Sequence, residues 1–323
     1  MKKNIRYGLL GLLAVAVVAL TGGSFYMLGY SLTPKDNKGK DIPGSYEYMH
    51  SKYPFITPWL DSLQTTGALR DTFIINREGR QLHAMFASAA KPTDKTAVIV
   101  HGYTDNETNW IQMGQMKTIA DRAIANEEAV PMIIVMPDAW DTWYINQYDG
   151  KVPYEDMFFE ELIPYMEKTY RIRSDKESRA IAGLSMGGYG SFLYSLHHPD
   201  MFCACAPLSA AVFDDTVMEA RKNKSHKDLF NRLFGPGDEH WKQNNVLKIL
   251  SDWNQNNLPK IRYYIDCGDD DGLLDGNMQV HQVMKQKGIR HEFRVRDGGH
   301  SWTYWRTALP EVLRFVSQTF CRS

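Results

Sequence analysis

The sequence predicts an α/β protein whose mostly parallel central sheet carries helices on both faces. The first observation behind this prediction is an alternation, from residue 97 to the C-terminus, of short apolar segments with longer segments of helical spacing. Such alternation is typical of parallel sheets that are buried on both faces. The second is composition, because hydrophobic residues make up 43% of the 323 residues. A chain of this length and hydrophobic content can form the core of one such domain and still carry an extension outside it.

The predicted elements follow one another in a regular order. Two strands come first as a hairpin, over residues 72–76 and 81–87, around a turn rich in charge and glycine. Further strands are predicted at 97–100, 132–136, 179–183, 203–208, 261–266 and 292–295. Helices are predicted at 110–126, 154–169, 187–197, 275–287 and 304–320.

The N-terminal segment has the character of an export signal. Three cationic residues among the first six precede a run over residues 7–34 that contains no charge. A spanning helix needs about 20 mostly apolar residues, whereas a signal peptide needs a shorter apolar core and a small-residue cleavage site. We expect a signal anchor in the membrane over residues 1–33, with a signal peptide cleaved near Gly22 as the alternative. Either form exports the protein to the cell envelope, anchored there or released as a periplasmic or secreted protein.

The remainder of the chain divides at about residue 70. Residues 34–70 combine a polar linker containing proline and glycine with an aromatic stretch, 46–70, that is predicted to form helical turns. Residues 71–323 are predicted to form the α/β domain that contains these strands and helices.

Charge composition argues against one class of partner. Lysine and arginine total 37 and aspartate and glutamate total 38. Nucleic-acid binding requires a clustered positive surface, so nucleic acid is not an expected partner.

A serine lies in a motif that is typical of nucleophiles. Gly183-Leu184-Ser185-Met186-Gly187 fits the pattern G-x-S-x-G, follows an apolar strand and opens a glycine-rich helix. This turn exposes the serine between strand and helix. A serine hydroxyl is a poor nucleophile until a base removes its proton, so Ser185 requires a histidine partner.

The base and the acid are expected after the nucleophile, in the order Asp or Glu and then His. Of the histidines that follow Ser185, only His300 lies in a glycine-containing loop just after a late strand. The acid is expected at the end of the preceding strand, where Asp269, Asp270 and Asp271 compete and spacing alone does not choose. A calcium loop starting at Cys267 would place Met278 where such loops carry glutamate, so no metal and no cofactor are expected.

Two backbone N–H groups are candidates for stabilising the negatively charged oxygen of a tetrahedral intermediate. One belongs to Met186, directly after the nucleophile, and the other to Tyr103, in the loop after the third strand. His101 precedes Ser185 in the chain, and we expect it to support this loop and not to act as the base.

In combination these motifs resemble the esterase-D-type family of α/β hydrolases, which includes feruloyl esterases, acetyl-xylan esterases and S-formylglutathione hydrolases. The matching residues are His101-Gly102-Tyr103 with Asn106 and Trp110, Met136-Pro137-Asp138, the turn at 183–188, Cys267-Gly268 through Asp271 with Leu273 and Asn277, and Gly299-His300-Ser301-Trp302. The resemblance implies an α/β-hydrolase fold, and its C-G-x-x-D pattern implies Asp271 as the acid. Residues 1–94 depart from the family and look more like the leader of membrane-anchored bacterial α/β hydrolases.

Aromatic residues suggest how a substrate is held. Trp140 and Trp143 follow a strand that ends at Pro137, at the edge of the sheet where ligands bind, and Trp302 follows His300. Together with the expected export of the protein, the resemblance points to feruloyl or acetyl esters of plant polysaccharide, or small-molecule esters, as substrates. An acyltransferase or a serine peptidase would use the same three residues, although such peptidases usually carry a large extra domain. A binding protein without activity would need a broken triad, and all three members are present.

Overall fold

A computed structural model of the chain describes residues 69–75, 81–87, 93–170, 172–223, 226–254 and 260–320. The predicted N-terminal signal, the linker and most of the predicted helical turns lie outside these residues. Among the described helices, none combines the length and the apolar character that a membrane crossing requires.

Eight strands of the described residues form one sheet, and they are β1 Leu69–Ile75, β2 Gln81–Ala87, β3 Thr96–Val100, β4 Ile133–Pro137, β5 Arg179–Leu184, β6 Ala204–Leu208, β7 Arg262–Gly268 and β8 His291–Arg296. Their order across the sheet is β1-β2-β4-β3-β5-β6-β7-β8. Strand β2 pairs antiparallel with β1 and β4, and every other pairing is parallel. The predicted mostly parallel sheet is confirmed.

The described helices connect these strands, and in chain order they are α1 Asn109–Gln112, α2 Met116–Ala125, α3 Tyr154–Met157, α4 Ile163–Thr169, α5 Met186–His197, α6 Asp215–Asn223, α7 Lys227–Phe234, α8 Glu239–Asn244, α9 Val246–Asp252, α10 Leu274–Lys287 and α11 Trp302–Phe320. A π-helical turn, Phe158–Leu162, joins α3 to α4, and a 3₁₀ turn, Lys176–Ser178, precedes β5.

The core lies in two layers, one on each face of the sheet. Alternate residues of a strand point to opposite faces, and in β3 Val98 and Val100 belong to one layer while Ala97 and Ile99 belong to the other. Residues of α5 and α10 fill the first layer, and residues of α2 and α11 fill the second. Helices on both faces explain why the central strands are mostly apolar.

One helical prediction needs correction, and one region contains helices that were not predicted. The predicted helix over 110–126 is divided into α1 and α2, because Gln115 adopts a left-handed φ of 53° that a right-handed helix cannot contain. Four helices between residues 215 and 252 were not predicted. They have six to nine residues each, so the apolar repeat is too short to stand out in the sequence.

Candidate active site

Ser185 occupies a strained turn between β5 and α5, with φ 55° and ψ −116°. Three backbone hydrogen bonds hold it there. Its N–H donates to the Leu208 carbonyl at 2.9 Å, and its carbonyl accepts from Ala211 at 2.9 Å and Tyr189 at 3.0 Å. A non-glycine residue with this backbone conformation costs free energy unless its surroundings compensate. The bonds to Leu208 in β6 and to Ala211 in the following loop supply that compensation.

The two glycines of the G-x-S-x-G motif are required by close packing. A β-carbon on Gly187 would lie 2.5 Å from the carbonyl oxygens of Val100 and His101, and one on Gly183 would lie 2.5 Å from the Gly187 carbonyl oxygen. Real β-carbons do not approach atoms this closely. The motif therefore brings the start of α5 against the end of β3, where the loop with Tyr103 begins.

His300 contacts Ser185 directly. Its Nε2 lies 2.9 Å from the Ser185 hydroxyl oxygen, and its Nδ1 lies 2.9 Å and 3.1 Å from the two carboxylate oxygens of Asp271. A carboxylate accepts at Nδ1, so this nitrogen carries the proton and Nε2 is free to accept from the serine. The Trp305 ring packs edge-on against the imidazole, with centroids 4.8 Å apart.

The structure distinguishes the three competing aspartates. Asp271 is 4% exposed, and its Oδ1 also accepts from the Leu273 N–H at 2.9 Å. Burial pushes its pKa upward, but hydrogen bonds from His300, from the Leu273 N–H and from the Ser209 hydroxyl hold the pKa below its usual value. Asp269 is exposed and accepts from the Gly298 N–H at 2.9 Å, and Asp270 is exposed. Of the three, only Asp271 contacts His300.

A cluster of acidic side chains lies beside this loop. Carboxylate oxygens of Asp269, Asp270 and Asp297 lie within 4.8 Å of one another, and all three residues are exposed. Exposed acidic groups of this kind commonly occur without a metal, so the cluster carries no metal assignment.

The two predicted oxyanion donors begin helix α5 and the loop after β3. Met186 is the first residue of α5, where N–H groups have no partner within the helix. The Tyr103 N–H belongs to the same peptide as the Gly102 carbonyl, which accepts from His101 Nδ1 at 2.8 Å and from the Asp105 N–H at 3.2 Å. Because these bonds fix one edge of the peptide, the Tyr103 N–H is fixed on the opposite edge.

His101 supports this loop as expected. It is 1% exposed, and its Nδ1 donates to the Gly102 carbonyl, which can only accept. Its Nε2 lies 2.7 Å from the Ala139 nitrogen and 3.2 Å from Asp138 Oδ1. Its two nitrogens are thereby occupied, whereas the Nε2 of His300 reaches Ser185.

The three predicted substrate tryptophans are not brought together. Trp143 is 5% exposed and packs among the rings of Tyr189, Phe213 and Phe230 in the first core layer. Trp302 packs against Trp110 and Trp305 on the other layer. Trp140 is partly buried in the loop after β4, with a left-handed φ of 48°. Contact of these rings with a substrate stays a prediction.

Two further side chains at the site were not identified from the sequence. Ser209 is buried, has a φ of 44° and accepts from Trp305 Nε1 at 3.0 Å, while its hydroxyl supports Asp271. Asp105 lies next to Gly102 and Ser185. No motif in the sequence includes Ser209, whereas Asp105 lies in the loop after β3 in which Tyr103 was identified as a candidate oxyanion donor.

One family model, two sequence relatives and one solved structure that are similar to this chain are all described as esterases. A family model described as "Putative esterase" matches residues 76–316. An acetyl esterase of Caldicellulosiruptor saccharolyticus is 24% identical over 69% of this chain and 84% of its own length. An endo-1,4-beta-xylanase/feruloyl esterase of Xylanibacter ruminicola is 27% identical over 66% of this chain, which spans only 25% of that relative. A solved ferulic acid esterase is 31% identical with a TM-score of 0.68, over 78% of this chain and 98% of its own.

Proposed function

This chain belongs to the esterase family, and from that premise we propose that it hydrolyses feruloyl or acetyl esters of plant polysaccharide through Ser185, His300 and Asp271. It is a carboxylic-ester hydrolase with the α/β-hydrolase fold, and the resemblance found in its motifs is confirmed. The observation that carries the proposed roles is the unbroken chain of hydrogen bonds from Asp271 through His300 to the Ser185 hydroxyl.

The proposed mechanism has two acyl-transfer steps. The Ser185 oxygen attacks the ester carbonyl while His300 Nε2 takes the hydroxyl proton, and Asp271 stabilises the imidazolium that forms. The N–H groups of Met186 and Tyr103 bind the oxyanion. Collapse expels the alcohol, which receives the proton from His300, and leaves an acyl-enzyme. Water then attacks with His300 again as base, releasing the acid and restoring Ser185.

The substrate part of the proposal rests on the relatives and on one tryptophan. Both curated relatives named above act on acetyl or feruloyl esters by their descriptions. Of the three predicted tryptophans, Trp140 has more exposed surface than Trp143 and lies at the carboxyl end of β4, where ligands of such sheets bind. We therefore propose that Trp140 contacts the acyl group, and that Trp143 and Trp302 support the surrounding loops.

A panel of esters tests this function. We expect hydrolysis of p-nitrophenyl acetate together with methyl ferulate or acetylated xylan, and no cleavage of peptides, with products measured by chromatography. Because aromatic pairs contribute about 0.5–1.5 kcal/mol beyond burial, Trp140→Ala should lower kcat/KM for methyl ferulate about threefold to tenfold more than for p-nitrophenyl acetate.

Trp302→Ala is the matched control, and it should change kcat/KM for the two substrates by the same factor. Cleavage of peptides without cleavage of esters would favour the peptidase alternative. Transfer of the acyl group to added glycerol in preference to water would favour the acyltransferase.

We also propose that the protein is exported and that residues 1–33 anchor it in the membrane. The support is the uncharged run after a cationic start. Fractionation of cells that express the full chain should recover it from the membrane fraction only with detergent, detected by an antibody against the C-terminus. A soluble periplasmic form that begins near Gly22 would show a cleaved signal, and a cytosolic form would contradict export.

A further inference from the structure

One buried carboxylate binds both ends of the loop that carries His300. This loop, residues 297–301, joins β8 to α11 and is called the histidine loop below. Arg296, directly before it, donates from Nη2 to Asp266 Oδ2. Tyr304, in the first turn of α11, donates from its hydroxyl to Asp266 Oδ1 at 2.5 Å. Asp266 lies in β7 and is fully buried, so the two ends of the loop meet at one side chain of the neighbouring strand.

A third donor reaches the same carboxylate from β7 itself. The Tyr264 hydroxyl donates to Asp266 Oδ2 at 2.6 Å and accepts from Arg296 Nη2 at 2.9 Å. Burial, together with the neighbouring carboxylate, raises the pKa of both Tyr264 and Tyr304, so both phenols keep their protons and donate. A buried carboxylate costs free energy unless it is paired and hydrogen-bonded, and these three donors meet that requirement.

The backbone of Asp266 leads to the other side of the triad. Its carbonyl accepts from the Ser209 N–H at 2.8 Å. The Ser209 hydroxyl accepts from Trp305 Nε1 at 3.0 Å and supports the Asp271 carboxylate. The Trp305 ring in turn packs against the His300 imidazole. Through its side chain and its backbone, Asp266 is therefore connected to both the base and the acid.

The position of the histidine loop decides whether the proton can move. His300 Nε2 has to stay within hydrogen-bond reach of the Ser185 hydroxyl, which lies 2.9 Å away. The loop contains Gly298, with a φ of 132°, and Gly299, and glycines restrict a backbone little by themselves. The Tyr304 ring lies against this part of the loop, since a β-carbon on Gly298 would lie 2.8 Å from Tyr304 Cδ2. The contacts of the loop, and not its own sequence, therefore fix the imidazole.

We propose that Asp266 is a positioning residue for the esterase reaction, and that it fixes both ends of the histidine loop so that the His300 imidazole stays aligned with its two partners. Asp266 acts through the loop and does not touch the reacting atoms. This inference rests on the proposed esterase function, and it names a residue outside the triad on which the rate of acyl transfer depends.

Tyr304→Phe and Tyr264→Phe form a matched pair for the test. Each variant removes one phenol that donates to Asp266, but only Tyr304 belongs to the helix that follows the histidine loop. Because a misplacement of about 1 Å can cost roughly 100-fold in rate, Tyr304→Phe should lower kcat for p-nitrophenyl acetate by about tenfold to 100-fold, with KM nearly unchanged. Tyr264→Phe should keep kcat close to the wild-type value. Both should lower the thermal midpoint of unfolding to a similar degree, since each loses one buried hydrogen bond.

Two further measurements separate positioning from a general loss of structure. The rate constant for labelling of Ser185 by a fluorophosphonate probe requires the base but no ester, and it should fall in Tyr304→Phe and not in Tyr264→Phe. In proton NMR spectra the Nδ1 proton of His300 should resonate far downfield while it is bonded to Asp271. This resonance should broaden or shift in Tyr304→Phe and remain in place in Tyr264→Phe.

Equal losses of kcat in the two tyrosine variants would overturn the inference. So would a Tyr304→Phe protein that is destabilised but keeps the wild-type kcat, because Asp266 would then only stabilise the fold. Asp266→Asn should lower kcat more than Tyr304→Phe does, and if this variant does not fold, the tyrosine pair still decides the question. If the wild-type protein hydrolyses no ester but is labelled by the probe, the proposed function fails, whereas the labelling rates still test the role of Asp266.

Discussion

Ser185→Ala should lower kcat for p-nitrophenyl acetate by about 10⁶-fold, the scale of loss when a serine triad loses its nucleophile. The hydroxyl that His300 contacts at 2.9 Å is removed, and no acyl-enzyme can form. Covalent labelling by a fluorophosphonate probe should disappear with it. The three backbone hydrogen bonds of residue 185 do not involve its side chain, so the thermal midpoint of unfolding should stay close to that of the wild-type protein.

Ser301→Ala provides a matched control for this experiment. Ser301 is an exposed serine beside His300 whose hydroxyl accepts a long 3.4 Å bond from the Tyr304 N–H. This variant should keep both activity and labelling. A labelled Ser185→Ala protein would place the nucleophile elsewhere.

Asp271→Asn should lower kcat by about 10⁴-fold, because an amide can donate to Nδ1 and then stabilises the wrong tautomer of the histidine. The structure makes this loss specific to one of three adjacent aspartates, since only Asp271 contacts the imidazole. Its lowered pKa keeps Asp271 ionised from pH 5 to pH 9. Initial rates on p-nitrophenyl acetate from pH 5 to pH 9 measure the effect.

Asp270→Asn is the control, because Asp270 is exposed and lies one residue away. It should retain most of the activity. Asp269→Asn should cost more than Asp270→Asn but less than Asp271→Asn, since its carboxylate holds the Gly298 N–H of the histidine loop. A larger loss from either of these variants than from Asp271→Asn would move the acid role away from Asp271.

The sequence by itself determined the fold class and two members of the candidate site. Apolar strands between helices of sufficient length follow from local periodicity, and they predicted the sheet from β3 to β8. Ser185 and His300 could be selected because glycines mark the tight turn and the loop that carry them. Such constraints act within a few residues, so the sequence expresses them directly. Residues alone left Asp269, Asp270 and Asp271 open, and only family resemblance favoured Asp271.

Tertiary structure decided what depends on the packing of distant segments. Asp271 meets His300 because β7 and β8 are neighbours whose following loops hydrogen-bond to each other, as in the 3.1 Å bond from the Asp270 N–H to the Gly298 carbonyl. Trp143 and Trp302 are separated because they pack into different core layers. Hydrophobicity alone cannot tell a buried aromatic ring from one that lines a cleft, since burial depends on which other segments cover it.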